Sequence, residues 1–227
     1  MVHEGDVVNR YRAGAVAWMA SAVIFPVQLL VARRWPQGYS VTHNAISDLG
    51  VVGCGQFSEQ GQQVRDVCSP WHPLFNAGMA ASGVLIMIGA ILMYGWWDSR
   101  SGRAGMILMA LTGLLVSIVG LAPWDIYPGA HDSAALGQAV AQWLAMGMLA
   151  AAAGPGRFRQ LTIVALVVSI VGFAAFLAAL EGAEVPWLGL GGAERISFDT
   201  LSLWTALAGV ALMTSRGVRD KASTSAC

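Results

Sequence analysis

Six long stretches without a charged residue limit what this chain can fold into. They run over residues 13–32, 73–97, 104–124, 133–156, 160–180 and 200–215. A membrane-spanning helix needs about 20 mostly apolar residues. Five stretches reach that length, and the sixth does once residues 196–199 join it. Inside a bilayer every backbone polar group must be paired within its own segment, so each stretch reads as a helix. The chain therefore reads as an all-α, polytopic integral membrane protein, a six-transmembrane-helix bundle forming one domain over residues 1–227. The expected helices cover approximately 12–32, 73–97, 103–124, 132–154, 159–180 and 196–215, with a long loop over 33–72. Composition fits this class. Hydrophobic residues make up 56% and charged residues 11%, where a soluble domain carries about 25% charged. The net charge is zero, and no basic stripe points to a nucleic-acid partner.

The first stretch is too long for the apolar core of a signal peptide, which is roughly 7–15 residues, and "LLVARRW" offers no small-x-small cleavage site. It is expected to remain as a helix. Basic residues then set the orientation. With the N-terminus in the cytoplasm, that side holds Arg10, Arg12, Arg100, Arg103, Arg157, Arg159, Arg216, Arg219 and Lys221, against Arg33, Arg34, Arg65 and Arg195 outside. Nine against four obeys the positive-inside rule, so both termini are expected in the cytoplasm and the protein in the cell membrane. Trp35, Trp71, Trp124 and Trp187 mark the outer interface, and Trp96 and Trp97 the inner one.

Cys54 and Cys68 both fall in the long outer loop, while Cys227 ends the cytoplasmic tail. In an oxidising compartment the loop pair is expected to form a disulfide, the alternative being two free thiols. Helix contacts in lipid rely on small residues. Gly78 and Ser82, Gly113 and Ser117, Gly137, and the small residues of 150–154 are placed for this, and Pro26 should kink the first helix.

The ionisable residues near helix ends gather outside: His43, Asp48, His72, Asp125, His131, Asp132, Glu181, Glu184, Glu194, Arg195 and Asp199. On the inner side there is little but arginine, with Asp98 and Asp220. In "VTHNAISDLGVVGCG", a turn or two of helix would put Asn44 and Asp48 on one face and His43 and Ser47 on another. Gly50 would stop it in the left-handed conformation. Asn76 lies one turn into the second helix, where an amide usually bonds across to a neighbour. The short "PWDIYPGAH" connection brings Asp125 and His131 within about one helix spacing, and Asp132 suits the dipole of the fourth helix. Arg195 is either neutralised by Glu194 or Asp199, or presented to a phosphate or carboxylate head group.

The pieces "NAISDLG" after the first helix, "LFN" opening the second, "PWD" then "H" between the third and fourth, and "GGAERI" before a Trp-bearing sixth together resemble an uncharacterised bacterial and archaeal membrane family, domain of unknown function 998. The resemblance covers about residues 10 to 215. It implies the six-helix architecture and a polar set of Asn44, Ser47, Asp48, Asn76, Asp125, His131, Glu194 and Arg195, with no established reaction. The layout is more remotely similar to DRAM- and Frag-type proteins, some linked to lipid remodelling.

Three functions fit. One is an enzyme acting on a lipid or isoprenoid head group. Asp48, Asp125, His131 and Glu194 would serve as its catalytic residues, and Asn44, Ser47, Asn76 and Arg195 would bind substrate. The second is a zinc-dependent membrane hydrolase with a metal site built on His43, His72 and His131, although no two share helical ligand spacing. The third is a non-catalytic cluster that binds a lipid or partner, or locks the helices. A transporter fits less well, since Ser117, Gln138 and Gln142 offer only a sparse polar path.

Overall fold

Pro26 shapes the first span. It has no N–H to donate, and its ring pushes against the carbonyl one turn earlier. The helix accordingly runs as α1 (Glu4–Ala20), tightens to a 3-10 turn over Ser21–Val23, and resumes as α2 (Ile24–Ala32). The Ser21 carbonyl at this irregularity accepts a hydrogen bond from Ser82 Oγ at 2.9 Å, so it is not left bare in the membrane.

A computed structural model gives the structure of residues 4–58, 64–183 and 185–214. Glu184, Arg216, Arg219, Asp220, Lys221 and Cys227 lie outside the described residues. The remaining helices are α3 (His72–Met93), α4 (Arg100–Leu121), α5 (Pro128–Ala152), α6 (Arg157–Leu180) and α7 (Gly189–Thr214). Among the described residues six segments, with α1 and α2 counted as one, are long and apolar enough to cross a membrane.

The helices close a ring in chain order. α1 packs on both α3 and α7, and α3 on α4, α4 on α5, α5 on α6 and α6 on α7 complete it. Close approach between α3 and α4 depends on Gly83 and Gly113. A Cβ on Gly83 would strike Ser117 Oγ and the Gly113 carbonyl, and one on Gly113 would strike the backbone of Met87. Ser117 Oγ also donates to the Ala80 carbonyl at 3.1 Å. Gly78 packs against Val27. Inside the ring, Trp18, Met109, Met146, Leu201 and Trp204 are fully buried. Both indoles are satisfied there: Trp18 Nε1 donates to the Ile86 carbonyl at 3.0 Å, and Trp204 Nε1 to Thr162 Oγ1 at 3.1 Å.

The sixth span begins at Gly189 rather than near residue 196. Charge marked the expected start at Glu194 and Arg195, but both are paired within the protein, so the helix extends through them. Gly189 takes φ +62°, a turn that a residue with a side chain rarely makes. Gly191 N–H then donates to the Thr42 carbonyl at 2.8 Å. A Cβ on Gly191 would collide with the Asn44 carbonyl, so the helix start lies directly on the loop backbone.

The loop between α2 and α3 holds a small antiparallel hairpin, β1 (Gly55–Phe57) and β2 (Arg65–Val67), with Gln56 opposite Asp66. Cys54 and Cys68 are bridged at its base, with a Cα–Cα distance of 4.3 Å. The helical turn expected around His43–Asp48 is shorter than the spacing implies: only Ser47–Gly50 is helical, and it is 3-10. Asp48 Oδ2 accepts the Ala45 N–H at 2.9 Å, and such side-chain capture of a backbone donor competes with α-helix. Gly50 is not left-handed. Its requirement is space, since a Cβ would run into Asn76 and Phe75.

Candidate functional site

The loop-bearing end of the ring contains three polar groupings with different geometry. The first fastens the loop. Asp48 is fully buried. Arg65 from β2 grips it with both arms of its fork, Nε to Oδ2 at 2.8 Å and Nη2 to Oδ1 at 2.9 Å. The hairpin register and the Cys54–Cys68 bridge deliver Arg65 to that point. Its guanidinium also lies over the Trp124 ring, 5.8 Å from the centroid. Further along, Asp125 accepts the N–H groups of Val52 (3.1 Å) and Gly53 (2.9 Å). Asn76 Nδ2 donates to the Gly50 carbonyl at 3.0 Å, the cross-element bond expected of an amide at this depth. Asn44 Oδ1 accepts the Ser40 N–H at 2.9 Å. Asp48, Asp125, Asn76 and Asn44 thus spend their polar atoms on the loop itself.

The second grouping ties the loop to α2 and α7. Arg195 Nη1 donates to Gln28 Oε1 at 2.8 Å and lies 3.5 Å from Asp199 Oδ2. Gln28 Nε2 donates to Asp199 Oδ1 at 2.9 Å, closing a three-membered network. Arg195 Nη2 donates to the Tyr39 hydroxyl, which itself donates to the Ala45 carbonyl at 2.7 Å. Burial pushes the Tyr39 phenol well above its ordinary range, against the pull of Arg195, so it stays protonated as a donor. Glu194 does not pair with its neighbour Arg195. Successive helical residues do not face each other, and Glu194 Oε2 instead accepts the Ile46 N–H.

The third grouping lines a cavity of about 770 Å³ within the ring. Ligand cavities run from about 300 to 1,000 Å³. Most of its wall is apolar, including Met79, Phe173, Phe176 and Phe198. His131 sits in this wall, 8% exposed. Its Nδ1 is 2.9 Å from the Ala122 carbonyl. A carbonyl only accepts, so Nδ1 carries a proton, and whenever the ring is neutral the lone pair is on Nε2. Two turns deeper on the same face of α5 lies Gln138, 6% exposed and also in the wall. Its amide has no hydrogen-bond partner among the described residues. One turn further along α5, Gln142 is not part of the wall; its Nε2 donates to the Leu201 carbonyl at 3.0 Å and to Thr205 Oγ1 at 2.9 Å.

Leu136 on α5 and Leu177 on α6 both line the cavity and are 51% and 47% exposed. These two helices are the most sparsely packed neighbours in the ring. Trp143 Nε1 on α5 donates to Ser169 Oγ on α6 at 2.9 Å.

The profile of the family described as Protein of unknown function (DUF998) matches residues 19–211. The chain belongs to the DUF998 family. No curated protein and no solved structure matches it. In this DUF998 protein the matched region takes in the whole cavity wall, the loop fastening and the Arg195 network.

Of the site residues expected from sequence, the fold brings Ser47, His131 and Glu194 to the cavity wall of the DUF998 protein. Asn44, Asp48, Asn76, Asp125 and Arg195 are not part of the wall. The three histidines stand apart. His43 Nδ1 bonds Ser40 Oγ at 3.0 Å, His72 Nδ1 the Ser69 carbonyl at 2.9 Å, and His131 the Ala122 carbonyl. Among the described residues no group of three His, Cys, Asp or Glu side chains could hold a metal ion. Sequence reasoning missed Gln28, Tyr39 and Arg65. Gln28 is an amide inside an otherwise apolar run, the one local signal that could have drawn attention to it.

Proposed function

We propose that this DUF998 protein binds a single-chain membrane amphiphile, a lipid or an isoprenoid, in its cavity, and that His131 takes a proton from the head group. The pair Leu136 and Leu177, cavity-lining yet about half-exposed on the sparsely packed neighbours α5 and α6, carries this reading. An apolar chain can enter from the bilayer without crossing water, while the head group stays at the loop end near His131. The Gln138 amide supports a ligand as well, because it lines the cavity with no hydrogen-bond partner among the described residues, and a ligand group would satisfy it. His131 has the arrangement of a positioned base, with one ring nitrogen held by a backbone carbonyl and the other left to act.

In this reading the loop face is extracytoplasmic in the cell membrane. The arginine bias of the sequence supports that side, and so does the Cys54–Cys68 bridge, since disulfides persist in oxidising compartments. Asp48 and Asp125 act as fastenings that hold the loop over the ring. Their saturation by Arg65 and by backbone N–H groups favours this over a catalytic role.

Native mass spectrometry of the protein purified in mild detergent tests the binding. The wild type should carry one amphiphile, and Ala135→Trp, which places an indole in the cavity from α5, should lose it while remaining folded. An absent adduct in the wild type, or equal occupancy in the variant, overturns the proposal. Incubation with a total lipid extract tests the chemistry. The wild type should convert one component, and His131→Asn should bind it unchanged. Conversion by His131→Asn at the wild-type rate removes His131 from the reaction.

A further inference from the structure

We infer that the head group taken by this cavity is a protonated amine, not a phosphate or carboxylate. The inference rests on the amphiphile-binding reading and adds its chemical class. Among the described residues the ionisable side chains of the wall are His131, Asp132, Glu181, Glu194 and Asp199, with no arginine or lysine. Four carboxylates thus border the cavity beside a histidine: Asp132 and Glu181 are exposed, and Glu194 and Asp199 are bonded within the protein.

Arg195 is not part of the wall; its Nη atoms face Gln28, Asp199 and Tyr39, and its Nε is buried without a partner, out of reach of the cavity. An anionic head group would meet Asp132 and Glu181 with no cation facing it among the described residues. A protonated amine reverses each of those interactions. It donates to Asp132 and Glu181 at the mouth, and the Nε2 lone pair of His131 is placed to accept one of its N–H groups. The acidic lining would say little about a ligand by itself. Here it borders a largely apolar cavity that carries the Gln138 amide, 6% exposed and without a partner among the described residues. That amide is about 10 Å deeper than His131, at about 1.5 Å of rise per residue. It suits a hydroxyl or carbonyl on the chain of the same ligand.

Hexadecylamine, hexadecanol and hexadecyl phosphate, offered separately to the full-length protein in zwitterionic nanodiscs, test the class by native mass spectrometry. Reversing the sign of one head-group charge beside a carboxylate should change affinity by at least about tenfold. The expected order is amine, then alcohol, then phosphate. Asp132→Asn/Glu181→Gln, two exposed positions at the mouth, should bring the amine down to the level of the alcohol. Phosphate binding equal to or above the amine overturns this inference and leaves the amphiphile reading standing, as does an amine preference unchanged in the double variant. If none of the three binds, the amphiphile reading itself fails.

Discussion

Arg65 and Asp48 meet through two parallel hydrogen bonds, Nε to Oδ2 at 2.8 Å and Nη2 to Oδ1 at 2.9 Å, with the carboxylate side chain fully buried. The fork geometry suits arginine, because lysine offers a point charge with no second arm. Such a pair is weak evidence of net stability, but losing one partner leaves a buried charge alone, which costs about 3–5 kcal/mol. Arg65→Leu should therefore lower thermal stability sharply, while Asp48→Leu/Arg65→Leu should recover much of the loss. A double mutant as unstable as the sum of the singles would show that the two residues act independently.

The disulfide holds the same hairpin from its base. Cys54 and Cys68 are 14 apart in sequence, and closing a loop near 15 residues stabilises by about 3 kcal/mol in the chain-entropy account. Cys54→Ser/Cys68→Ser should lower the melting temperature. It should also weaken the effect of Arg65→Leu, because a loosened hairpin no longer places Arg65 on Asp48. An Arg65→Leu effect of undiminished size in the cysteine-free background would disprove that coupling.

Tyr39 gives a pH signature. Burial raises its phenol above the ordinary value of 10.0. In the unfolded chain the phenol ionises near its ordinary value, while in the fold it stays protonated. The sign follows: Tyr39 contributes its full stability below about pH 10 and loses it as pH rises beyond, when only the unfolded state releases the proton. Tyr39→Phe removes the bonds to Arg195 and the Ala45 carbonyl, so it should be less stable than the wild type at pH 8. The gap should narrow between pH 10 and pH 11 in thermal melts. A gap that stays constant or widens contradicts the assignment.

Residues differ in how far their roles can be read in advance. The six spans were legible because bilayer thickness dictates the length of an uncharged run, and no tertiary detail enters that argument. Asn76 was legible for a similar reason, since an amide one turn into a membrane helix must find a partner nearby. The Arg195–Asp199 pair follows from i,i+4 spacing on α7. Arg65 was not legible. Its own stretch is polar throughout, and only the hairpin register and the disulfide say which acid it reaches. Gln28 and Asp199 meet across helices that are 171 residues apart in the chain, and no local pattern encodes that. The cavity was hidden for a different reason. Its wall draws on α2, the loop and α3 to α7, and whether apolar residues line a cavity or fill a core leaves no mark on their composition.

His131 separates structural from chemical roles by choice of substitution. The Ala122 carbonyl it satisfies lies just past the end of α4, and leaving a buried acceptor unpaired costs about 1–3 kcal/mol. His131→Asn can keep an N–H near the position of Nδ1, whereas His131→Leu cannot. Thermal melts should rank the wild type and His131→Asn together, with His131→Leu below them. Equal stability of all three would mean that the bond to Ala122 contributes nothing to the fold.

The proposed entry between α5 and α6 makes a kinetic prediction. Leu136 and Leu177 line the cavity from the two helices, each about half-exposed. Bulk added there should obstruct passage without filling the deeper cavity near Gln138. Leu136→Trp and Leu177→Trp should therefore slow both uptake and release of a bound amphiphile and leave its equilibrium occupancy within a few fold of the wild type. Ala135→Trp, one residue away but facing the interior, should instead abolish occupancy. Exchange of a chain-labelled amphiphile, followed by native mass spectrometry over time, distinguishes the two effects. Unchanged exchange rates in both leucine variants would place the route elsewhere, through the loop that Asp48, Arg65 and Asp125 hold over the ring.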